Sequence, residues 1–345
     1  MNVDRVLLAS PRGFCAGVEK AIKALDWMTR IFEPPVYCYH EIVHNRFVVD
    51  HFRSLGVIFV DDVSAVPPGA PLMLSAHGSP PQLVEEARRD HRVVVDAVCP
   101  LVTKVHHELK VRSRKGYTVL YVGHEGHEEA VGTMAVAPDS VVLIQSREDI
   151  DRAATRPGPY ALLSQTTLSE DEWADLRQYA LSVIPDIWMP NRSDLCFATT
   201  NRQGALRSLA SRADAVVVIG SANSSNTVAL TNVARAAGCP RVKRVNGADE
   251  IPDDLHGTVA VTAGASAPES LVDQVLERLN PRDGVELSSF VTEDEYFPPP
   301  PELRDILRSL TTVTSLALFG EVRPGFDVAA DREFTAAQVL AASAR

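Results

Sequence analysis

The chain has 345 residues, 45% hydrophobic and 23% charged, with a net charge of −11 and a mean hydropathy of −0.03. A chain of this length carries a large core, or two to three units of roughly 150 residues each, and the composition is that of an ordinary globular protein. No apolar run approaches the ~20 residues that span a bilayer, the N-terminus lacks a signal-peptide core, and the acidic balance argues against general affinity for nucleic acid. A cytoplasmic protein with neither membrane nor nucleic-acid partners is expected, while an anionic small ligand stays compatible with a locally positive pocket.

In chain order, the first motif is P-R-G-F-C-A-G, with Cys15 ahead of a stretch whose Val18, Ile22, Leu25 and Met28 follow helical spacing. The strand-like P-V-Y-C-Y-H-E-I-V then runs into H-N-R at His44, and L-M-L-S-A-H-G-S ends at His77. The second motif, D-A-V-C-P-L-V-T-K, puts Cys99 before another helical stretch, followed by Y-T-V-L-Y-V-G-H and the loop E-G-H-E-E with His127 and Glu129. A turn at Pro157–Gly158–Pro159 precedes Y-A-L-L-S-Q-T-T-L-S, which places Thr166 after a strand. The third motif, S-D-L-C-F-A-T-T-N-R, sets Cys196 before a helix, then A-V-V-V-I-G enters S-A-N-S-S-N with Ser224, Ser225 and Asn226, and V-A-V-T-A-G-A-S-A-P ends at Ser266. Past the run Pro298–Pro301, the compact part is expected to end, with T-S-L-A-L-F-G a peripheral strand or disordered.

Cys15, Cys99 and Cys196 stand 84 and 97 residues apart, and the offsets from each cysteine to His44, His127 and Ser224 are 29, 28 and 28 residues. That agreement predicts an α/β fold of three pseudo-repeated modules, each a small, mostly parallel sheet flanked by helices. The expected boundaries are 1–98, 99–195 and 196–283, with a C-terminal segment over 284–345. Functional loops in such sheets follow the carboxyl ends of strands, so six polar loops are expected to converge on one cavity.

Each cysteine lies in a turn opening a helix, where the helix dipole favours a thiolate. Thiolates are soft ligands for zinc or iron–sulfur clusters. Close C-x-x-C pairs are absent, so a closed structural zinc site fits poorly, and a cluster with three thiolates and one open iron fits a three-module junction better. Cys38, in an apolar strand, and Cys239, before Pro240, read as buried structural residues. His44, His77, Ser224, Asn226 and Ser266 are donors without fixed negative charge, suited to a phosphate or diphosphate. His127 and Glu129 form a candidate proton source beside the redox centre.

The motifs P-R-G-F-C-A-G, H-E-I-V-H-N, S-A-H-G, D-A-V-C-P-L-V-T-K-V-H, Q-T-T-L-S, C-x-A-T-T-N-R-Q, N-S-S-N and T-A-G-A-S-A-P occur in one order along about Val6 to Arg304. In this the chain closely resembles the 4-hydroxy-3-methylbut-2-enyl diphosphate reductase (LytB) family. The resemblance implies a trefoil of three α/β modules around one central [4Fe–4S] cluster bound by Cys15, Cys99 and Cys196. It implies that His44, His77, Ser224, Ser225, Asn226 and Ser266 hold the diphosphate, with His127 near the substrate and Thr166 and Glu129 orienting and protonating its hydroxyl. It further implies two-electron reductive loss of that hydroxyl to give isopentenyl and dimethylallyl diphosphate, the last step of the non-mevalonate isoprenoid route, with reduced ferredoxin or flavodoxin as electron donor. Two features depart from the family pattern: Glu128 stands where a proline is expected, and residues 305–345 match nothing in the family. A zinc-dependent phosphohydrolase and a catalytically inactive diphosphate-binding homologue are the alternative readings.

Overall fold

The structure, a computed structural model, describes residues 1–91, 93–322 and 328–343. Among the described residues twelve strands form three sheets, and every strand pair is parallel. In chain order they are β1 (Asn2–Ser10), β2 (Val36–Tyr39), β3 (Val57–Val60), β4 (Leu72–Leu74), β5 (Val94–Asp96), β6 (Thr118–Val122), β7 (Val141–Ile144), β8 (Tyr160–Ser164), β9 (Ala215–Ile219), β10 (Val242–Val245), β11 (His256–Ala263) and β12 (Val285–Ser289). The expected α/β class of small parallel sheets flanked by helices is what the chain adopts. No helix among the described residues is long and apolar enough to cross a membrane.

The chain divides into two compact units. The larger comprises Met1–Cys15, His44–Arg46 and Leu101–Asp294, and holds the sheets β10-β9-β11-β1-β12 and β7-β6-β8. Both faces of each sheet are covered, as parallel sheets require. Alternation along β1 sends Val6 and Leu8 to one face, packed with Val217, Val261 and Val272, and Leu7 and Ala9 to the other, packed with Leu206, Val218 and Leu230. In the three-stranded sheet, Leu120, Val122 and Leu162 oppose Val119, Tyr121 and Leu163 in the same way.

One boundary differs from the sequence expectation. Strand β1 belongs to the sheet of the third module, with Val6 paired to Val259 and Leu7 to Ala260, so residues 1–98 do not share one sheet. A parallel pair between strands some 250 residues apart leaves no local trace in the chain, because each partner reads only as an apolar strand.

The smaller unit comprises Ala16–Val43, Phe47–Pro100 and the described part of Glu295–Arg345, and holds the sheet β3-β2-β4-β5. Tyr37, Tyr39, Leu72, Leu74 and Val94 form one side of its core. The tail departs from expectation here. The segment containing T-S-L-A-L-F is the end of a helix, Pro301–Phe319, which starts with proline in its first turn and stops at Gly320 in the left-handed region (φ 73°). Leu303 and Leu307, one turn apart, are its buried contacts, while Val313, Leu318 and Phe319 are exposed. A last helix, Ala336–Ser343, buries Ala336 and Leu340. It is tied to the helix Ala16–Ile31: the Ala336 N–H donates to Glu19 (2.5 Å), and Lys23 Nζ lies 2.7 Å from Asp331 Oδ2 while donating to the carbonyls of Asp331 and Phe334. The compact part therefore continues beyond Pro301. Of the tail, residues 323–327 and 344–345 lie outside the described residues.

Candidate active site

In the larger unit, the loop after β1 turns sharply at Gly13, whose φ of 66° and 3.1 Å approach of a notional Cβ to the Ala267 carbonyl leave no room for a side chain. Gly13 N–H donates to Ala263 O and Cys15 N–H to Ala265 O, both at 3.2 Å, so the Cys15 loop is laced onto the loop carrying Ser266. Cys196 is laced in turn onto the loop after β8, its N–H donating to Thr166 O at 3.0 Å. It caps the helix Phe197–Ala210: Sγ accepts from Thr199 N–H at 3.3 Å and lies 3.0 Å from Thr199 Oγ1. Burial pushes the Cys196 thiol up to about 12, and the charge of the neighbouring Cys15 acts in the same direction.

The loop after β6 leads into a buried carboxyl group. Glu129 lies in the first turn of the helix Glu128–Met134 and is 2% exposed. Its Oε1 accepts from Thr166 N–H at 2.7 Å and its Oε2 from Thr166 Oγ1 at 2.9 Å. Burial pushes its pKa up to about 7; the two bonds from Thr166 oppose that shift, and the charge of Asp194 adds to it. His127 caps the same helix with Nδ1 accepting from Glu129 N–H at 3.1 Å, which leaves Nε2 to carry the proton of the neutral ring. The rings of His127 and His44 meet edge to face with centroids 5.5 Å apart.

Around this acid the loops after β9 and β11 bring neutral donors. Ser224 caps the helix Ser225–Ala236, and Asn226 is held at both ends of its amide, accepting from Ala265 N–H (2.9 Å) and donating to Thr199 Oγ1 (3.3 Å). Ser225 accepts from Gln165 Nε2 at 3.1 Å, and Ser266 donates to the His44 carbonyl at 2.8 Å. His44 Nδ1 stands 3.5 Å from Asn223 Nδ2. Cys15, Cys196, His44, His127, Glu129, Thr166, Ser224, Ser225, Asn226 and Ser266 thus all sit on interlaced loops of the larger unit.

His77 and Cys99 belong to the smaller unit, where they lie on adjacent loops. Ala97 N–H donates to Leu74 O and Cys99 N–H to Ala76 O, which sets the Cys99 loop beside the His77 loop. Asp96 accepts from Val98 N–H at 3.0 Å, and the buried Lys20 donates to Val98 O at 2.8 Å. Burial lowers the Lys20 pKa, while the charges of Cys99 and Asp96 counter it.

Several residues that shape the site were not singled out from the sequence. Lys104 and Asp194, 3.1 Å apart, set the charge near Glu129, and Arg202 is fully buried. Lys104 and Arg202 stand inside quoted motifs, and the signal at Arg202 is a long cation on a helix face that otherwise packs inward. Cys38 is buried in β2 of the smaller unit, and Cys239 is buried beneath the carbonyls of Ala213 and Arg241.

Residues 6–280 match the sequence description of the LytB protein family. The 4-hydroxy-3-methylbut-2-enyl diphosphate reductase of Rhodopirellula baltica is 44% identical over 310 residues, 88% of this chain and 97% of that protein. The enzyme of the same name from Cereibacter sphaeroides ATCC 17025 is 45% identical over 305 residues, 86% and 96% of the two chains. The solved E-1-hydroxy-2-methyl-but-2-enyl-4-diphosphate reductase of Plasmodium falciparum matches with a TM-score of 0.84 at 30% identity, covering 90% of this chain and 99% of that one. On the extent of these matches, and with the motif residues gathered on strand-end loops, the chain belongs to the LytB family.

Proposed function

We propose that the chain is a reductase that removes the allylic hydroxyl of (E)-4-hydroxy-3-methylbut-2-enyl diphosphate, consuming two electrons and two protons and releasing water. The products are isopentenyl and dimethylallyl diphosphate, according to which end of the allylic system takes the second proton. The observation that carries this reading is the Glu129–Thr166 pair, a buried carboxyl set near neutrality and joined through Thr166 to Cys196.

The donor set suits a [4Fe–4S] cluster held by Cys15, Cys99 and Cys196. Burial disfavours a bare thiolate at Cys196 and the charge of Cys15 acts in the same direction, so a cationic group bound there would relieve the cost. When bound, the cluster supplies electrons one at a time and an iron that no protein ligand occupies.

The remaining chemistry belongs to side chains. A protonated Glu129 donates from Oε2 to Thr166 Oγ1, which frees the threonine O–H to point at the substrate hydroxyl. The proton then passes from Thr166 to the departing oxygen and from Glu129 to Thr166, and the carboxylate left behind keeps its bond from Thr166 N–H. His44, His77, Ser224, Ser225, Asn226 and Ser266 bind the diphosphate, aided by the free amides at the start of the helix Ser225–Ala236. His127 presents Nε2–H toward the substrate. Glu129, rather than Glu128, takes the acid role because only Glu129 is buried against Thr166. Reduced ferredoxin or flavodoxin supplies the electrons in the cytoplasm.

Anaerobic purification and reconstitution, with iron and sulfide analysis followed by turnover of the diphosphate with a chemical reductant, tests this reading. A brown protein with four irons and four sulfides per chain that forms both products is expected. An iron-free protein, or one zinc per chain without acid-labile sulfide, overturns it, the latter in favour of hydrolysis.

A further inference from the structure

Two buried cations grip the backbone just ahead of two of the cysteines, in the same register. Arg202, 1% exposed on its side chain, donates from Nε and Nη2 to Gly13 O (3.1 and 2.8 Å) and from Nη2 to Phe14 O (3.3 Å), the carbonyls two and one residues before Cys15. Its Nη1 reaches Ala198 O at 2.9 Å, in the first turn of the helix that Cys196 caps, and Glu293 at 3.0 and 3.1 Å. One guanidinium therefore joins both cysteine-bearing segments of the larger unit. In the smaller unit, Lys20, 7% exposed, donates to Ala97 O (3.5 Å) and Val98 O (2.8 Å), the carbonyls two and one residues before Cys99.

These stretches lie outside helices and strands, so their carbonyls lack the partners that regular structure supplies. Neutral donors would satisfy them at less cost, since burying a cation carries a desolvation penalty of several kcal/mol. A charge-assisted bond is stiffer and stronger than a neutral one, and a cation placed beside a ligand loop also favours negative charge on the ligand.

We propose that Arg202 and Lys20 are positioning residues for the cluster ligands: each pins the two peptide carbonyls ahead of its cysteine, and Lys20 also stabilises the more negative, reduced form of the loaded centre. Arg202 has its charge matched at hydrogen-bond distance by Glu293, so its contribution is geometric; Lys20, which faces Cys99 as well as Asp96 and Glu302, contributes geometry and part of its charge. This rests on the ligand reading of Cys15, Cys99 and Cys196 given above.

The test uses the full-length protein reconstituted anaerobically, as wild type and as K20M, K20R, R202M and R202K. Iron release to a chelator and the reduction potential followed by electron paramagnetic resonance are the readouts, with circular dichroism of the apoproteins as the folding control. K20M and R202M are expected to lose iron about 10- to 100-fold faster than wild type, as for other residues that orient metal ligands. K20M also moves the potential to more negative values, and K20R restores both quantities. If R202M does not fold, R202K, which keeps the charge but not the fork spanning Gly13, Phe14 and Ala198, takes its place and is expected to release iron faster with little change in potential. Folded variants with wild-type iron release and wild-type potential overturn the inference. A wild-type protein that takes up no iron and sulfide instead overturns the ligand reading beneath it.

Discussion

The three-stranded and five-stranded sheets of the larger unit deliver their loops by the same step from strand to helix, yet the loops do different work. After β6 and β8 come Glu129 and Thr166, a titratable carboxyl and its hydroxyl partner sealed from water; after β9 and β11 come Ser224, Asn226 and Ser266, none of which titrates near neutral pH. On the proposed roles, a repeated backbone frame is divided into a part that moves protons and a part that holds an anion. The difference comes down to one buried carboxylate, because burial rather than residue type moves Glu129 from the ordinary carboxylate range toward neutrality.

Substitutions separate the two parts, and the largest effect is expected from Glu129→Gln. It should lower kcat by about 10²- to 10⁴-fold, the range for a lost general acid, while KM stays near wild type. Steady-state kinetics that instead show a raised KM at full kcat would merge the proton-handling loops with the binding loops. Thr166→Val should lower kcat by roughly 10- to 100-fold, since the acid remains but the hydroxyl between it and substrate is gone.

The pH profile sharpens the same division. In its proposed role Glu129 acts in its protonated form, so kcat should be retained below about pH 7 and fall as pH rises through that value. Folding stability follows the same sign. Glu129 binds its proton more tightly in the folded state than at its ordinary value of 4.5, so its contribution is full below 4.5 and lost as pH rises through about 7. Thr166→Val removes a bond that holds the pKa down and should carry the alkaline limb to higher pH. On the binding side, Asn226→Ala should raise KM by about 10-fold or somewhat more, as for one hydrogen bond to a charged group, with kcat little altered. The smallest effect is expected from Asp194→Asn, which withdraws a charge that raises Glu129 and should shift the limb to lower pH by less than about one unit. Movement of the limb in the same direction by Thr166→Val and Asp194→Asn would contradict the electrostatic account.

Much of this division can be seen in the chain itself. The near-constant distance from each cysteine to its polar loop survives because a helix and a strand of fixed length intervene, and local order of that kind is written in local sequence. What escaped were relations between distant segments. Arg202 reaches Gly13 across 189 residues, and β1 finds β11 across most of the chain, so neither leaves a periodic mark. The tail misled for a different reason: Thr314 to Phe319 reads as a short apolar strand, and only Leu303 and Leu307, buried a turn apart further upstream, disclose a helix. The adjacent glutamates, too, are equivalent on paper; the helix begins at Glu128, and of the two only Glu129 is fully buried.

Thr166 holds Glu129 through its N–H and hydroxyl, and Cys196 through its carbonyl. A single residue therefore ties together the proposed proton donor and a proposed electron-side ligand. On those roles, displacement at the Cys196 sulfur would reach the acid over one residue, and an apoprotein with a slack Cys196 loop would have its proton donor out of aim as well.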